Sequence, residues 1–455
     1  MPSAFAQEAL PLTPTLTATL DASLATFATA PNAATPSLSV ALVEHDRIAY
    51  AQAFGQSDLA RHTPATPQTR YHIASITKMF TAVAVMQLVE QGRIALDAPV
   101  ATYLPSAPHA REITIRQLLQ HTSGLWNYAD QAVADGSVRT ATTPQSILTS
   151  LAARPLENAP GAKFHYSNTG YVVLGLVVEA VGGMPLADYE RAHIFAPAGL
   201  TETGFIEDGT TARGYMNSDG TPAAEYSPTW FYGAGDIVST AGDVARFDIA
   251  LLDGKLVQPQ TLALMRSSNV DASELAPGAR YGLGLMEITR GSLAAFGHHG
   301  GVPGFAADNE ILPDRHLAIV TLTDAFTFGT GFVNQSVVLA LLPGALPVPA
   351  PETAQLTEDP VVTERLRTLL TTIAAGTLDA TTLTSTMRTA LKPNVLAQIT
   401  NYYAALGALQ SLKLHSRRTV GVYAVYEYGA TFAGGKKLDI TASFDPDGKV
   451  AGLIQ

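Results

Sequence analysis

The 455-residue sequence has no cysteine, only two tryptophans and little charge, with Asp, Glu, Lys and Arg together at 15%. Lacking cysteine, it has no thiol nucleophile, no thiolate zinc site and no disulfide. Basic residues are scarcer than acidic ones: 28 Lys and Arg face 39 Asp and Glu, a formal net charge of -11. Such a surface repels phosphate backbones, and no basic block offsets it, so nucleic acid is not an expected partner. Long apolar runs are missing too. A membrane span needs about 18 apolar residues in a row, and YVVLGLVV at 171–178 stops at Glu179. There is no Gly-x-Ser-x-Gly elbow of the α/β-hydrolase type and no His-Glu-x-x-His zinc helix. GATFAGGKK (429–437) has a P-loop flavour, but its first Gly stands one residue too far away and no Ser or Thr follows the Lys pair. It reads as a strand hairpin.

What remains is a globular composition, 47% hydrophobic with a mean hydropathy of +0.14, in a chain long enough for more than one domain. Residues 12–30 read as a Thr/Ala-rich helix ending before Pro31. LSVALVEHDRIAYAQAFG (38–55) reads as a hairpin about EHDR. A helix is expected over 71–92, with Met79, Val83, Met86 and Val89 at helical spacing and Gly92 closing it. A short helix over 113–125 ends at Ser-Gly, and 160–183 is a turn followed by a long helix. Ser239 or Thr240 caps a further helix. RYGLGLMEI, LAAFGHHG, FAADNEILP and HLAIVTLTD (280–324) read as successive strands. The fold class is therefore α+β, an antiparallel sheet built from both ends of the domain with a helical insertion between them. This domain is expected over 1–342. LLPGALPVPAPETAQ carries four prolines, and its 343–355 part reads as a stiff linker. Residues 356–455, helices then strands with a DPDG turn, read as a small α+β domain. Ala4-Phe5-Ala6 has the small-residue pattern of a cleaved leader's tail. It leads us to expect a periplasmic or secreted protein, an ordinary flexible N-terminus being the alternative.

Three short motifs carry chemistry. The chain has only eight lysines, and Lys78 alone has a Ser three residues before it. Ser75 and Lys78 are one helical turn apart and share a face. A hydroxyl needs a base to become a nucleophile, and a Lys desolvated enough to lose its proton supplies one. A surface cap plus a solvated charge is the structural alternative. Tyr166-Ser167-Asn168 precedes the second helix. Its phenol can relay a proton and its amide can orient a Lys, or the three can be a core aromatic and an N-cap. Tyr215-Met216-Asn217 matches the same spacing but precedes a turn. FGHHGGVPGF (296–305) sets glycines on a strand, where another backbone or a ligand can approach closely. Its His pair has no carboxylate cluster to complete a metal site.

Ser75-x-x-Lys78, Tyr166-x-Asn168 and His298-x-Gly300, in this order, resemble the three site elements of the serine β-lactamase and penicillin-binding-protein superfamily. The branch most similar is the class C β-lactamase-like group of D-aminopeptidases, DD-carboxypeptidases, family VIII esterases and β-lactamases (peptidase S12). LLQHTSGL (118–125), PGAKFHYSNTGY (160–171), GAGDIVSTAGDVARF (233–247), YGLGLMEI (281–288) and GGVPGF (300–305) resemble it as well, so the likeness covers roughly 35–330. It implies a β-lactamase/transpeptidase-like fold, an antiparallel sheet flanked by helices plus an all-helical lobe. It implies Ser75 as acylated nucleophile, Lys78 and Tyr166 sharing the general-base role and Asn168 orienting Lys78. His298 and Gly300 then face substrate, and the Ser75 and Gly301 N–H groups form an oxyanion hole. No cofactor and no metal are implied. The small C-terminal domain looks cystatin- or NTF2-like.

One departure bears on specificity. Where class C β-lactamases have Lys-Thr-Gly, this chain has His298, which weakens the β-lactamase reading and favours peptidase or esterase chemistry on a small-molecule or peptide substrate. A penicillin-binding sensor with slow turnover, or a weak β-lactamase, is the alternative. We expect His298 to face the site, hydrogen-bonding substrate or Tyr166, and His299 to pack behind the strand. Oligomeric state is not legible.

Overall fold

The computed structural model describes residues 11–29, 35–129, 132, 135–206, 212–216, 220–275, 278–290, 293–326, 329–342, 359–384, 387–388, 393–420, 423–445 and 447–454. The Ala4-Phe5-Ala6 stretch and the 343–355 linker lie outside them. Two compact units are present, Met1–Leu346 and Pro347–Gln455.

In the larger unit the strands are β1 (Ser37–Glu44), β2 (Arg47–Asp58), β3 (Thr63–Pro64), β4 (Tyr71–His72), β5 (Gly204–Phe205), β6 (Ile237–Ser239), β7 (Val270–Asp271), β8 (Arg280–Tyr281), β9 (Met286–Arg290), β10 (Leu293–Val302), β11 (Phe305–Leu312) and β12 (Leu317–Thr323). Nine of them form one sheet in the order β3-β2-β1-β12-β11-β10-β9-β8-β7. The pairing of β1 with β12, Val40 opposite Thr321, joins the two ends of the unit. β11 and β12 are buried throughout; β12, LAIVTLT, is accordingly largely apolar rather than alternating, whereas β11 carries Asp308, Asn309 and Glu310 into the interior. One face packs Leu20 and Leu24 of the Pro14–Thr29 helix and Val333, Val337 and Leu341 of the Thr330–Leu341 helix. The other face carries the larger core, built with the helices Thr77–Glu90, Asn168–Gly182 and Ala241–Leu252.

The expected 71–92 helix is divided. Tyr71–His72 is strand β4, paired with β6; Ala74–Ile76 is a 3-10 turn; the α-helix runs from Thr77 to Glu90. The Met79-Val83-Met86-Val89 stripe also understates the burial, since every residue from Thr77 to Met86 is buried. A helix apolar all round lies inside a protein, not on its surface. Elsewhere Thr240 is the cap, accepting the Asp243 N–H, and Gly183 ends the Asn168–Gly182 helix at positive φ.

The smaller unit has strands β13 (Leu409–Val420), β14 (Tyr423–Phe432), β15 (Lys437–Phe444) and β16 (Val450–Ile454) in one antiparallel meander. Its core joins Leu366, Leu370 and Ile373 of the Pro360–Ala374 helix and Tyr403 of the Pro393–Leu406 helix to Tyr428, Ile440 and Phe444. GATFAGGKK is the β14–β15 connection.

Candidate active site

β4 delivers the chain to the centre of the larger unit, and the 3-10 turn presents Ser75 there. Ser75 alone among residues 71–80 keeps partial exposure; its neighbours are buried. It lies in the turn before the α-helix, not in the helix's first turn, and Ala74 is held at φ 48 to make the bend. Lys78 is fully buried, and its Nζ contacts Ser75 Oγ at 3.0 Å, Asn168 Oδ1 at 2.8 Å and the Ala234 carbonyl at 2.7 Å. None of these three partners is a carboxylate. Burial without a counter-charge lowers the Lys78 pKa well below its ordinary value.

Tyr166 hydrogen-bonds Ser75, and burial raises its phenol pKa against the lowering effect of that bond. Lys78 Nζ stands 5.0 Å from the Tyr166 ring centroid. Ser75, Lys78, Tyr166 and Asn168 therefore meet in one place from two separate segments, 75–78 and 166–168.

The Tyr166 segment is extended and belongs to no sheet, so its N–H groups need other acceptors. His165 N–H goes to the His121 carbonyl and Ser167 N–H to His121 Nδ1. Asn168 sends both its backbone N–H and its side-chain Nδ2 to Asn127 Oδ1, at 3.0 and 3.2 Å. That double bond fixes the Asn168 amide with its oxygen toward Lys78. The His121 ring packs 4.3 Å from the Tyr166 ring, and burial, then Lys78, holds its pKa well below the usual value. Sequence reading missed Asn127, and it missed a role for His121 inside LLQHTSGL. No spacing rule marks either, because both act across 41 or more positions.

β10 forms the remaining wall. His298 is buried, and its Nδ1 faces the His299 carbonyl at 2.5 Å. A carbonyl only accepts, so Nδ1 carries the proton and Nε2 takes the Tyr281 hydroxyl proton at 2.9 Å. Burial, then Lys78, lowers the His298 pKa to about 3. The expectation that His298 bonds substrate or Tyr166 is corrected: both ring nitrogens have protein partners, and the rings of His298 and Tyr166 lie 6.5 Å apart. His299 does not pack behind the strand. It is 47% exposed, and its Nδ1 stands 2.9 Å from Oδ1 of the fully buried Asp308 opposite it on β11. Gly300 is there for approach: a Cβ at this position would collide with the Ile73 carbonyl oxygen and crowd Ala74. β10 thus runs hard against the Ser75 turn, and Gly301 is the next residue along. Among the described residues no group of three His, Asp or Glu is arranged to hold a metal ion.

A β-lactamase family model matches residues 20–341, and the chain belongs to that family. It is 32% identical over 272 residues to PbpX of Bacillus subtilis, covering 58% of this chain and 64% of that protein. It is 37% identical over 184 residues to esterase EstB of Burkholderia gladioli, covering 37% of this chain and 47% of EstB. The chain thus spans less than two thirds of either curated relative. Among solved structures, the D-amino acid amidase of Ochrobactrum anthropi SV3 superposes with a TM-score of 0.62 at 26% identity, over 71% of this chain and 97% of that one.

Proposed function

We propose that this chain is a serine hydrolase that cleaves amide or ester bonds through a Ser75 acyl-enzyme. The Lys78 amine carries the reading. A neutral amine has two N–H donors and one lone pair. Asn168 Oδ1 and the Ala234 carbonyl take the donors, and the lone pair is left for the Ser75 hydroxyl. Lys78 is then the base that removes the Ser75 proton as Oγ attacks the carbonyl carbon. Tyr166, kept protonated by burial, delivers a proton to the leaving amine or alcohol and recovers one from Lys78. The N–H groups of Ser75 and Gly301 receive the oxyanion. Water then takes the place of the leaving group in the reverse sequence.

His298 favours a substrate class. It is neutral, and both ring nitrogens are occupied, so β10 offers no fixed cation for a substrate carboxylate at that point. Small carboxylic esters and D-amino-acid amides or peptides fit better than β-lactams. The relatives reported above include an esterase and a D-amino acid amidase. Fluorophosphonate labelling tests the nucleophile: Ser75→Ala is expected to abolish it, and label retained on another Ser would overturn the assignment. A panel of short-chain nitrophenyl esters, D-alanyl peptides and nitrocefin tests the class. Nitrocefin turned over as fast as the best ester or peptide would overturn the specificity reading.

A further inference from the structure

His165 stands one residue before Tyr166, between two carboxylates. Its Nε2 lies 2.7 Å from Glu157 Oε2 and its Nδ1 3.3 Å from Glu274 Oε2. Carboxylates only accept, and both nitrogens of an imidazole donate only when the ring is protonated. A neutral His165 would turn a lone pair toward one of the two carboxylates, so the geometry calls for an imidazolium. The Glu274 hydrogen bond is the largest influence on its pKa and raises it; burial opposes, and the charges of Glu274 and Glu157 add to the rise.

Glu274 has a second task. Its carboxylate also accepts the backbone N–H of Tyr166. Glu157 is anchored on the other side, where its own N–H donates to the Gly124 carbonyl at 2.8 Å. One protonated ring therefore ties two loops together across the residue that precedes Tyr166.

We propose that His165, as an imidazolium, is a positioning residue for Tyr166: it cross-links Glu157 to Glu274 and holds the Glu274 carboxylate under the Tyr166 N–H. Loss of its proton releases the bracket, and the phenol loses its register on Ser75. The inference rests on the reading of Ser75 and Tyr166 given above. The titratable groups facing His165 are Glu157 and Glu274, which favour its charge, and Lys163, which opposes it. The buried His121, lowered chiefly by burial and then by Lys78, feels the His165 charge only as a small further lowering. Because the native pKa is raised, the bracket is complete below the ordinary histidine value of 6.5 and is lost as pH rises through the raised value.

The test follows the rate of fluorophosphonate labelling of Ser75 against pH in the full chain, beside the NMR titration of the His165 ring. In the wild type the labelling rate should fall on the alkaline side with the midpoint of the His165 titration. Glu157→Gln touches neither Lys78 nor Tyr166 and should move both midpoints down together, by about one pH unit. Lys163→Gln, at an exposed position where folding is not at stake, should move both up. His165→Gln should remove the alkaline limb and leave a lower rate that keeps only the acid-side fall set by Lys78. A His165 titration at or below 6.5, or midpoints that shift in NMR without shifting in labelling, overturns the proposal. Failure of Ser75 to label at any pH would instead overturn the nucleophile reading, and the titration would still decide whether the bracket is charged.

Discussion

Lys78 sits where an ammonium is least welcome, in a helix buried on every side and without an acidic partner among its three contacts. Its lowered pKa gives the acid side of catalysis its sign. As pH falls through the lowered value, the lone pair is protonated and kcat/KM should fall with it. Lys78→Ala and Tyr166→Phe should each lower kcat/KM by roughly 10²–10⁴, the usual worth of a general acid–base group. Because the two residues serve one proton transfer, the double variant should be little worse than the poorer single one. Multiplicative losses in steady-state kinetics would make their roles independent. Asn127→Ala frees the Asn168 amide to turn and should cost about fivefold in kcat, the equivalent of one hydrogen bond of about 1 kcal/mol, with KM nearly unchanged.

At the scale of the element, β10 does two jobs with alternate faces. His298 and Gly300 face the Ser75 turn, and His299 faces the other way. Gly300→Ala would push the strand off Ile73, so both melting temperature and Ser75 labelling should drop. His299→Ala leaves the buried Asp308 carboxylate without its histidine. The expected loss is about 1–3 kcal/mol, the cost of an unmatched buried acceptor, read as a lower urea midpoint. Adding Asp308→Asn should recover part of it. A midpoint unchanged by His299→Ala would show that the His299–Asp308 contact contributes nothing. The pattern His-His-Gly-Gly permits two registers, since either histidine begins a His-x-Gly. Periodicity alone does not choose between them; the neighbours do, Tyr281 on one face and Asp308 on the other.

For the molecule as a whole, buried histidines contribute to an acid limit: His121, held well below its ordinary value by burial and then Lys78, is joined by His72 and His298. Burial lowers His72 to about 4, and burial with Lys78 lowers His298 to about 3. Both native values lie below the unfolded 6.5, so stability is full above 6.5 and is lost as pH falls toward the native values. Asp324, raised to about 7 by burial, works in the opposite direction, so the histidine share is read by difference: His298→Gln, which keeps hydrogen bonding without titrating in this range, should lose less of its urea midpoint than the wild type as pH falls below 6.5. The two compact units frame a further expectation. Limited proteolysis should cut between 343 and 355, and a fragment ending near Pro343 should stay soluble and keep labelling at Ser75. An insoluble or inactive fragment would make the C-terminal unit integral to catalysis.

The order of elements, the hairpin at 38–55, the late strand series and the positions of Ser75, Lys78, Tyr166 and Asn168 were legible in the sequence. They rest on local periodicity and on motifs that close within one helical turn or one loop. Helix limits near Ser75 were not, because the pairing of β4 with β6, 166 residues apart between His72 and Val238, draws Tyr71 and His72 into a strand. The partners of each site residue were hidden for the same reason. A sequence names the groups able to donate, accept or lose a proton. Only the folded chain decides which of them are desolvated together, and that sets the proton on Lys78, the tautomer of His298 and the pairing of His299.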